Sequence, residues 1–301
     1  MPCFSPLQAF KLEGWHQYGL PPVFKRPAGA HREIKLPCGQ CIGCRLERSR
    51  QWAVRCMHEA SLYENNCFLT LTYDDAHLPN GNNLVYRDFV LFMKRLRKRC
   101  GSGIRFYMCG EYGEQFGRPH FHACVFNFDA PDKVLYRRNR DGDNLYNSNL
   151  LSDIWQYGYV VVGALTFESA AYVARYVLKK MTTPNGVHPK YIDFDADGNI
   201  FVKRPEFTNM SRKPGIGAPW LQKFQTDVYP SDFLIVNGKR VRPPRFYDAR
   251  YEIVAPSDMA ELKKRRVEAA ARHSDNNTPA RLRVREIVQS SQLQRLKRNH
   301  G

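Results

Sequence analysis

Apolar and polar positions alternate most regularly along Cys67-Phe68-Leu69-Thr70-Leu71-Thr72-Tyr73. A period of two is that of a β-strand with two unlike faces, and Asp74, Asp75, Pro79, Asn80 and Gly81 supply the turn after it. From Arg87 to Arg99 the period lengthens to that of a helix, with Phe89, Phe92, Met93 and Leu96 on the inner face and Gly101 placed to end it. Ile104 to Glu111 reads as a second strand, and Tyr112 to Arg118, with Gly113 and Gly117, as a hairpin into a third, Arg118 to Phe126. Beyond lie a polar, looped insertion (Asp129 to Asn149), a short helix containing Trp155, and a strand from Tyr159 to Ala164. Thr166 then caps a helix running from Ser169 to Lys180.

Upstream, Arg45 to Ala60 reads as a helix, and downstream Asp193 to Gly198 reads as a hairpin turn. These elements predict an α+β fold: a central antiparallel sheet of about five strands, with helices packed on it and strand 118–126 inside it. The expected division is a Cys-rich N-terminal segment (1–60), a core (61–185), an accessory β/loop region (186–255) and a basic helical C-terminal arm (256–301).

At 301 residues and 43% hydrophobic content the chain can bury a substantial core. No apolar run approaches the roughly 20 residues of a membrane span, and the first residues lack a signal-peptide pattern. Nine cysteines without an export signal point to reduced thiols or metal ligands rather than a disulfide framework. The formal charge of +17 points to a polyanion, nucleic acid first. The arm beyond Pro256 contributes eleven Lys/Arg against five acidic residues.

Chemistry concentrates in a few places. His120 and His122 share one face of their strand while Phe121, Ala123 and Val125 take the other. Two imidazoles on a rigid face are two-thirds of a metal site, although His-x-His alone serves as well as a pair of hydrogen-bonded rings. In the hairpin Glu111 falls opposite the start of the returning strand, close to His120, and would be the third ligand; Glu114, in the loop, is the alternative. Cys38, Cys41 and Cys44 resemble half of a zinc ribbon plus one, or an iron–sulfur run lacking its last member. Of Cys3, Cys56 and His58 as fourth ligand, Cys3 is preferred, because the other two fall about three turns or more along the helix. Tyr172 and Tyr176 share a helix face with Lys179 and Lys180 beyond them, a spacing equally common at the rim of a core. Lys94, Arg95, Arg97 and Lys98 exceed what a helix C-terminus needs and are candidate DNA contacts; so are Arg212 and Lys213 in the loop Ser211 to Gly217. Asp193 to Gly198 mimics the opening of an EF-hand, but Arg204 stands where that loop needs its glutamate. No P-loop signature occurs.

A β run, then His-x-His on a strand, then a helix with Tyr-x3-Tyr and lysines resembles the motif order of HUH endonucleases, the class of rolling-circle initiators, relaxases and related transposases. Met1-Pro2-Cys3, Pro37 to Arg45, Gly110-Glu111-Tyr112-Gly113, Met210 to Gly217, Tyr229 to Phe233 and Asn237-Gly238-Lys239 further resemble replication initiators of gokushovirus-type microviruses, over nearly the whole chain to about residue 250. The resemblance implies Mn²⁺ or Mg²⁺ at His120, His122 and Glu111, and Tyr172 or Tyr176 as nucleophile. Lys180, preferred to Lys179, would help the phenol ionise. Zn²⁺ is the candidate for the cysteines. The activity so implied is sequence-specific nicking and rejoining of single-stranded DNA through a 5′-phosphotyrosine, to start and end rolling-circle replication. Expected partners are a single-stranded or supercoiled DNA origin and the host helicase and DNA polymerase, with no membrane, in the cytoplasm of a bacterial host. Two alternatives stay open: a non-enzymatic, zinc-stabilised single-strand-binding protein, and an HUH transposase or plasmid relaxase.

Overall fold

A computed structural model describes residues 3–12, 20–29, 31–113, 116–139, 142–176, 188–194 and 198–295, the side chains of 175, 176, 294 and 295 excepted. The chain forms two units, Met1–Arg48 with Ser257–Lys297, and Ser49–Pro256 with the last four residues.

In the first unit β1 (Leu7–Leu12) and β2 (His31–Leu36) pair antiparallel, Leu7 opposite Leu36 and Leu12 opposite His31. The edge of β1 is tied to Val23 by two backbone hydrogen bonds through Phe10. α1 (Ile42–Ala60) begins here and continues into the second unit, with no proline and no glycine after Gly43 to interrupt it.

The second unit is built on β3 (Asn66–Tyr73), α2 (Tyr86–Cys100), β4 (Arg105–Tyr112) and β5 (Pro119–Phe126). Then follow β6 (Val134–Arg138), β7 (Asn144–Asn147), α3 (Asn149–Trp155), β8 (Gly158–Gly163) and α4 (Phe167–Tyr176). A small hairpin, β9 (Ile192–Phe194) and β10 (Ile200–Val202), precedes β11 (Phe207–Met210). The unit ends with α5 (Ala218–Val228), the hairpin of β12 (Leu234–Val236) and β13 (Lys239–Val241), and α6 (Arg245–Val254). α7 (Pro256–Ala271) and α8 (Pro279–Arg295) complete the first unit, with Met259, Leu262 and Leu282 buried and Arg285 over the ring of Phe4.

The fold is α+β, as the hydrophobic pattern predicts, but the sheet is larger than expected. Seven strands run in the order β11-β4-β5-β3-β8-β7-β6, every pair antiparallel, with the histidine strand β5 inside. Residues 129–149, expected to be a polar loop, instead form the β6–β7 hairpin that extends one edge, and β11 extends the other. Every residue of β6 is exposed, so this strand lacks the buried face that makes alternation visible.

The two faces of the sheet carry different cores. Leu69, Leu71, Tyr73, Phe121, Ala123, Val125, Val160 and Val162 pack with Phe89, Phe92, Met93 and Leu96 of α2 and with Trp155 of α3. On the other face Phe68, Tyr107, Cys109, Cys124 and Phe126 pack with Ala53 and Cys56 of α1 and with Ala170, Val173 and Ala174 of α4. α4 is capped by Thr166 as predicted, through reciprocal bonds between Thr166 and Ser169, and begins two residues earlier than expected, at Phe167. At the entry to β8, Gly158 has φ +139°, and a Cβ there would lie 2.3 Å from the Asp74 amide nitrogen, so only glycine fits. α1 also anchors the loop 211–217. Buried Glu59 accepts from Arg105 Nε and from the Gly217 amide at 2.7 Å, while Arg55, between the rings of Trp52 and Phe246, donates to the Ile216 carbonyl at 3.0 Å.

Candidate active site

Strand register alone assembles the first cluster. Glu111 of β4 stands opposite His120 of β5, which stands opposite Thr72 of β3; one row deeper, Cys109, His122 and Thr70 are aligned in the same way. Because side chains two apart share a face, Glu111 and both imidazoles rise from the α4 side of the sheet. His120 Nε2 and His122 Nε2 converge on one oxygen, Glu111 Oε1, at 2.7 and 2.9 Å. The outer nitrogens are held as well, His120 Nδ1 at 3.1 Å from the Arg118 carbonyl and His122 Nδ1 at 3.0 Å from Thr70 Oγ1. An Nδ1–H donated outward leaves Nε2 as the ligand nitrogen, which is how metal-binding histidines are usually oriented.

Burial by itself would raise the Glu111 carboxyl. The hydrogen bonds and charge of His120 and His122 outweigh that and bring it to about 2, so the group is a carboxylate at neutral pH. Two imidazole nitrogens and one charged oxygen, with ligand atoms within 4.8 Å of one another, suit a divalent first-row cation such as Mn²⁺ and accept Mg²⁺ less readily. Glu114, the alternative third ligand, lies outside the described residues.

α4 brings the nucleophile candidate. The Tyr172 hydroxyl lies 3.4 Å from Glu111 Oε1, and its ring meets that of His122 edge-on at 5.2 Å between centroids. Tyr176 lies one turn on along α4, but its side chain and the whole of Lys180 lie outside the described residues. A cleft of about 680 Å³ opens over the cluster. Its floor is Thr70, Thr72, Val161 and Gly163; one wall is α4 from Thr166 to Tyr172, and the other is the β6–β7 hairpin through Arg137, Asn139, Asp143 and Asn144. Neither Thr70 nor this hairpin wall stands out in the sequence. Thr70 could have been found by carrying the strand pairing one step further.

The second cluster is in the first unit. Cys3, Cys38, Cys41 and Cys44 come together, with Cys3 and Cys38 sulfurs 3.7 Å apart and Cys3 and Cys41 sulfurs 3.9 Å apart. These separations exclude a disulfide and match the roughly 3.8 Å between sulfurs around a tetrahedral zinc with bonds of about 2.3 Å. Backbone amides of Gln40 and Cys41 point at Cys38 Sγ, and that of Phe4 points at Cys41 Sγ. Although burial alone would raise it, the backbone amides of Phe4 and Cys44 and the thiols of Cys38 and Cys44 bring the Cys41 thiol down to about 7. The other two residues weighed as fourth ligand are occupied in the second unit: Cys56 in the core, and His58 stacked on Trp220 with its Nδ1 3.0 Å from the Tyr247 hydroxyl.

The cationic candidates are dispersed. Lys94, Arg95, Arg97 and Lys98 belong to α2, on the sheet face opposite the histidines. Arg95 donates to the carbonyls of Ile154 and Trp155, and Arg97 to that of Ile104, while Lys94 and Lys98 are more exposed. Arg212 and Lys213 are both exposed in their loop, whose Ile216 carbonyl is already used by Arg55.

The site is thus a His-x-His-plus-glutamate cluster on an antiparallel sheet, with a tyrosine hydroxyl beside it. Residues 66–181, which contain all of it, match the family model of the replication-associated protein ORF2/G2P. The chain is 33% identical to replication-associated protein VP4 of Bdellovibrio phage phiMH2K, covering 87% of this chain and 80% of the relative. It is 32% identical to replication-associated protein ORF2 of Spiroplasma virus 4 over 84% and 81%. To replication-associated protein ORF4 of Chlamydia phage 1 it is 32% identical over 81% of this chain and 57% of the relative. No solved structure matches. The chain belongs to the family of phage replication-associated proteins, in agreement with the resemblance to microvirus initiators carried by its motifs.

Proposed function

We propose that this chain is a sequence-specific nickase and ligase of single-stranded DNA that starts and ends rolling-circle replication through a 5′-phosphotyrosine intermediate. The observation that carries the reading is the Tyr172 hydroxyl 3.4 Å from the same Glu111 oxygen on which both histidines converge. His120, His122 and Glu111 would hold Mn²⁺ or Mg²⁺, which when bound supplies charge stabilisation at the scissile phosphate.

The chain's own residues do the rest. Glu111 accepts the Tyr172 hydrogen bond and fixes the phenol beside the phosphate site. The tyrosine oxygen forms a bond to phosphorus as the phosphorus–O3′ bond breaks; the phenol proton is released and the departing 3′ oxygen takes one up. The phosphodiester energy is kept in the phosphotyrosine, so attack by a 3′-OH reseals the strand without ATP. A free phenol ionises near pH 10, and Lys180 is assigned to lower that cost. Tyr176 is assigned the second cleavage of the cycle. The 3′-OH would prime a host polymerase, with a host helicase opening the duplex, in the cytoplasm of the bacterial host. Among the described residues no helix is long and apolar enough to cross a membrane. The four-cysteine cluster is assigned Zn²⁺, to be checked by elemental analysis of the purified chain.

The decisive experiment incubates the chain with Mn²⁺ and single-stranded oligonucleotides tiling the genome that encodes it, and looks for a covalent adduct on a denaturing gel. One oligonucleotide should yield a nick and an adduct. Retention of both by a Tyr172→Phe/Tyr176→Phe variant would refute the tyrosine mechanism. Binding without any adduct would favour the non-enzymatic reading, a zinc-stabilised single-strand-binding protein, which the +17 charge and the four clustered cysteines also suit.

A further inference from the structure

The row of side chains that carries the site does not stop at the histidines. Across β4, β5, β3 and β8 the register aligns Glu111, His120, Thr72 and Tyr159 on one face of the sheet. Tyr159 is 68% exposed. Two inter-strand steps place its backbone roughly 10 Å from that of His120. A large ring left in solvent at that position has no packing role to explain it, because its strand neighbours Val160 and Val162 turn inward to the opposite core. Further along β8, where Leu145 meets Gly163, Arg137 lines the cleft from the β6–β7 hairpin. That wall is braced at its tip, where Asn139 Nδ2 donates to Asp143 Oδ2 at 2.9 Å and the Asp143 amide donates to Asn139 Oδ1 at 2.8 Å.

We propose that Tyr159 is the stacking platform for the base next to the scissile phosphate, and that Arg137, towards the other end of the cleft, binds a phosphate further along the same strand. The proposal rests on the nicking reading for the position of the scissile phosphate. Its occupant is a single DNA strand: a cleft of about 680 Å³ takes a few nucleotides of one strand and no duplex. The threonine floor is small enough to let the backbone lie flat between the histidines and the tyrosine. Asp143 and Glu168 also line the cleft, so the phosphate contact depends on Arg137 itself and not on a general positive field. Every base offers a π-face, so the platform sets the strand's position without selecting a sequence. Tyr159 and Arg137 are therefore positioning residues for the cleavage.

The test is binding without cleavage. The full chain, carrying Tyr172→Phe and Tyr176→Phe, is titrated by fluorescence anisotropy against a labelled oligo(dT) about 12 nucleotides long and against an abasic strand of equal length. The parent should prefer oligo(dT) by about tenfold, Tyr159→Ala should lose that preference, and Tyr159→Phe should keep it. Arg137→Ala should weaken both strands alike and lower the slope of log K against log salt by about one. An unchanged melting temperature in each variant confirms an intact fold. A preference for bases that survives Tyr159→Ala overturns the platform, and an unchanged salt slope in Arg137→Ala overturns the phosphate contact. Failure of the nicking reading would register separately, as absence of a covalent adduct from the chain with both tyrosines present.

Discussion

The two candidate metal clusters are built on opposite principles. The His120–His122–Glu111 cluster stands on three paired strands whose other face is packed with aromatic and aliphatic side chains, so its ligands are placed by backbone hydrogen bonds and a core. The Cys3–Cys38–Cys41–Cys44 cluster ties the segment before β1 to a loop and the first turn of α1, with one two-stranded sheet, β1 and β2, as its only sheet among the described residues of that unit. A preassembled site can lose its ion and keep its shape. A site whose ligands lie on loops contributes its binding free energy to folding itself.

The largest expected effect follows from the cysteines. Structural zinc in small domains is worth about 10 kcal/mol or more, far above what a two-stranded sheet and two helices supply. Chelation, or Cys41→Ser, should therefore abolish hydrogen-exchange protection in β1 and β2 while β3, β4 and β5 keep theirs. Equal protection before and after would show that the first unit folds without metal. His120→Ala should act the other way round. Nicking should fall by at least about a hundredfold, while the melting temperature of the second unit stays near that of the parent, because strand pairing does not use the imidazole. If the variant unfolds, the sheet is no platform and the contrast between the clusters collapses.

How much of this was legible in the sequence differs in the same way. Register is written in alternation and turn residues, so a hairpin between Ile104 and Phe126 could be drawn and Glu111 set against His120 before any coordinates, and the pairing is as drawn. Cys3 could be chosen by spacing, since helical residues three turns away cannot reach back. The β6–β7 wall left no trace, because a strand exposed on both faces has no reason to alternate. The cationic run on α2 was visible as charge, but charge does not say where a guanidinium points, and Arg95 and Arg97 turn onto main-chain carbonyls. Tyr159 was missed for a related reason: a solitary exposed aromatic acquires meaning only when the register shows what shares its row.

A third histidine environment sharpens the contrast through its aromatic surroundings. His58 is stacked on Trp220 at 3.5 Å between centroids and bonded to the Tyr247 hydroxyl, and burial pushes it down to about 4. Held below the ordinary 6.5, it stays neutral in the folded unit while the unfolded chain takes up a proton. Stability from this group is complete above about pH 6.5 and is lost as the pH falls towards 4, about 2 kcal/mol by pH 5. Unfolding free energies from urea titrations at pH 7 and pH 5 should differ by that amount in the parent and by less in His58→Phe. Equal falls in both would assign the acid sensitivity to other groups.

The smallest effect probes how much of the first cluster is placed by backbone alone. Thr70 Oγ1 lies 3.0 Å from His122 Nδ1 and holds the orientation of that ring. Thr70→Val keeps the shape and the β-propensity of the position and removes only the hydroxyl. Groups in this relation to a metal ligand change affinity by about tenfold to a hundredfold, and on a ring already confined by Phe68 and Tyr172 the lower figure is expected. Calorimetric titration with Mn²⁺ should show binding about tenfold weaker, with the nicking rate at saturating Mn²⁺ restored to that of the parent. A larger loss that saturating metal does not restore would mean that the strands position Cα atoms but not imidazoles, and that the hydroxyl, not the sheet, makes the site.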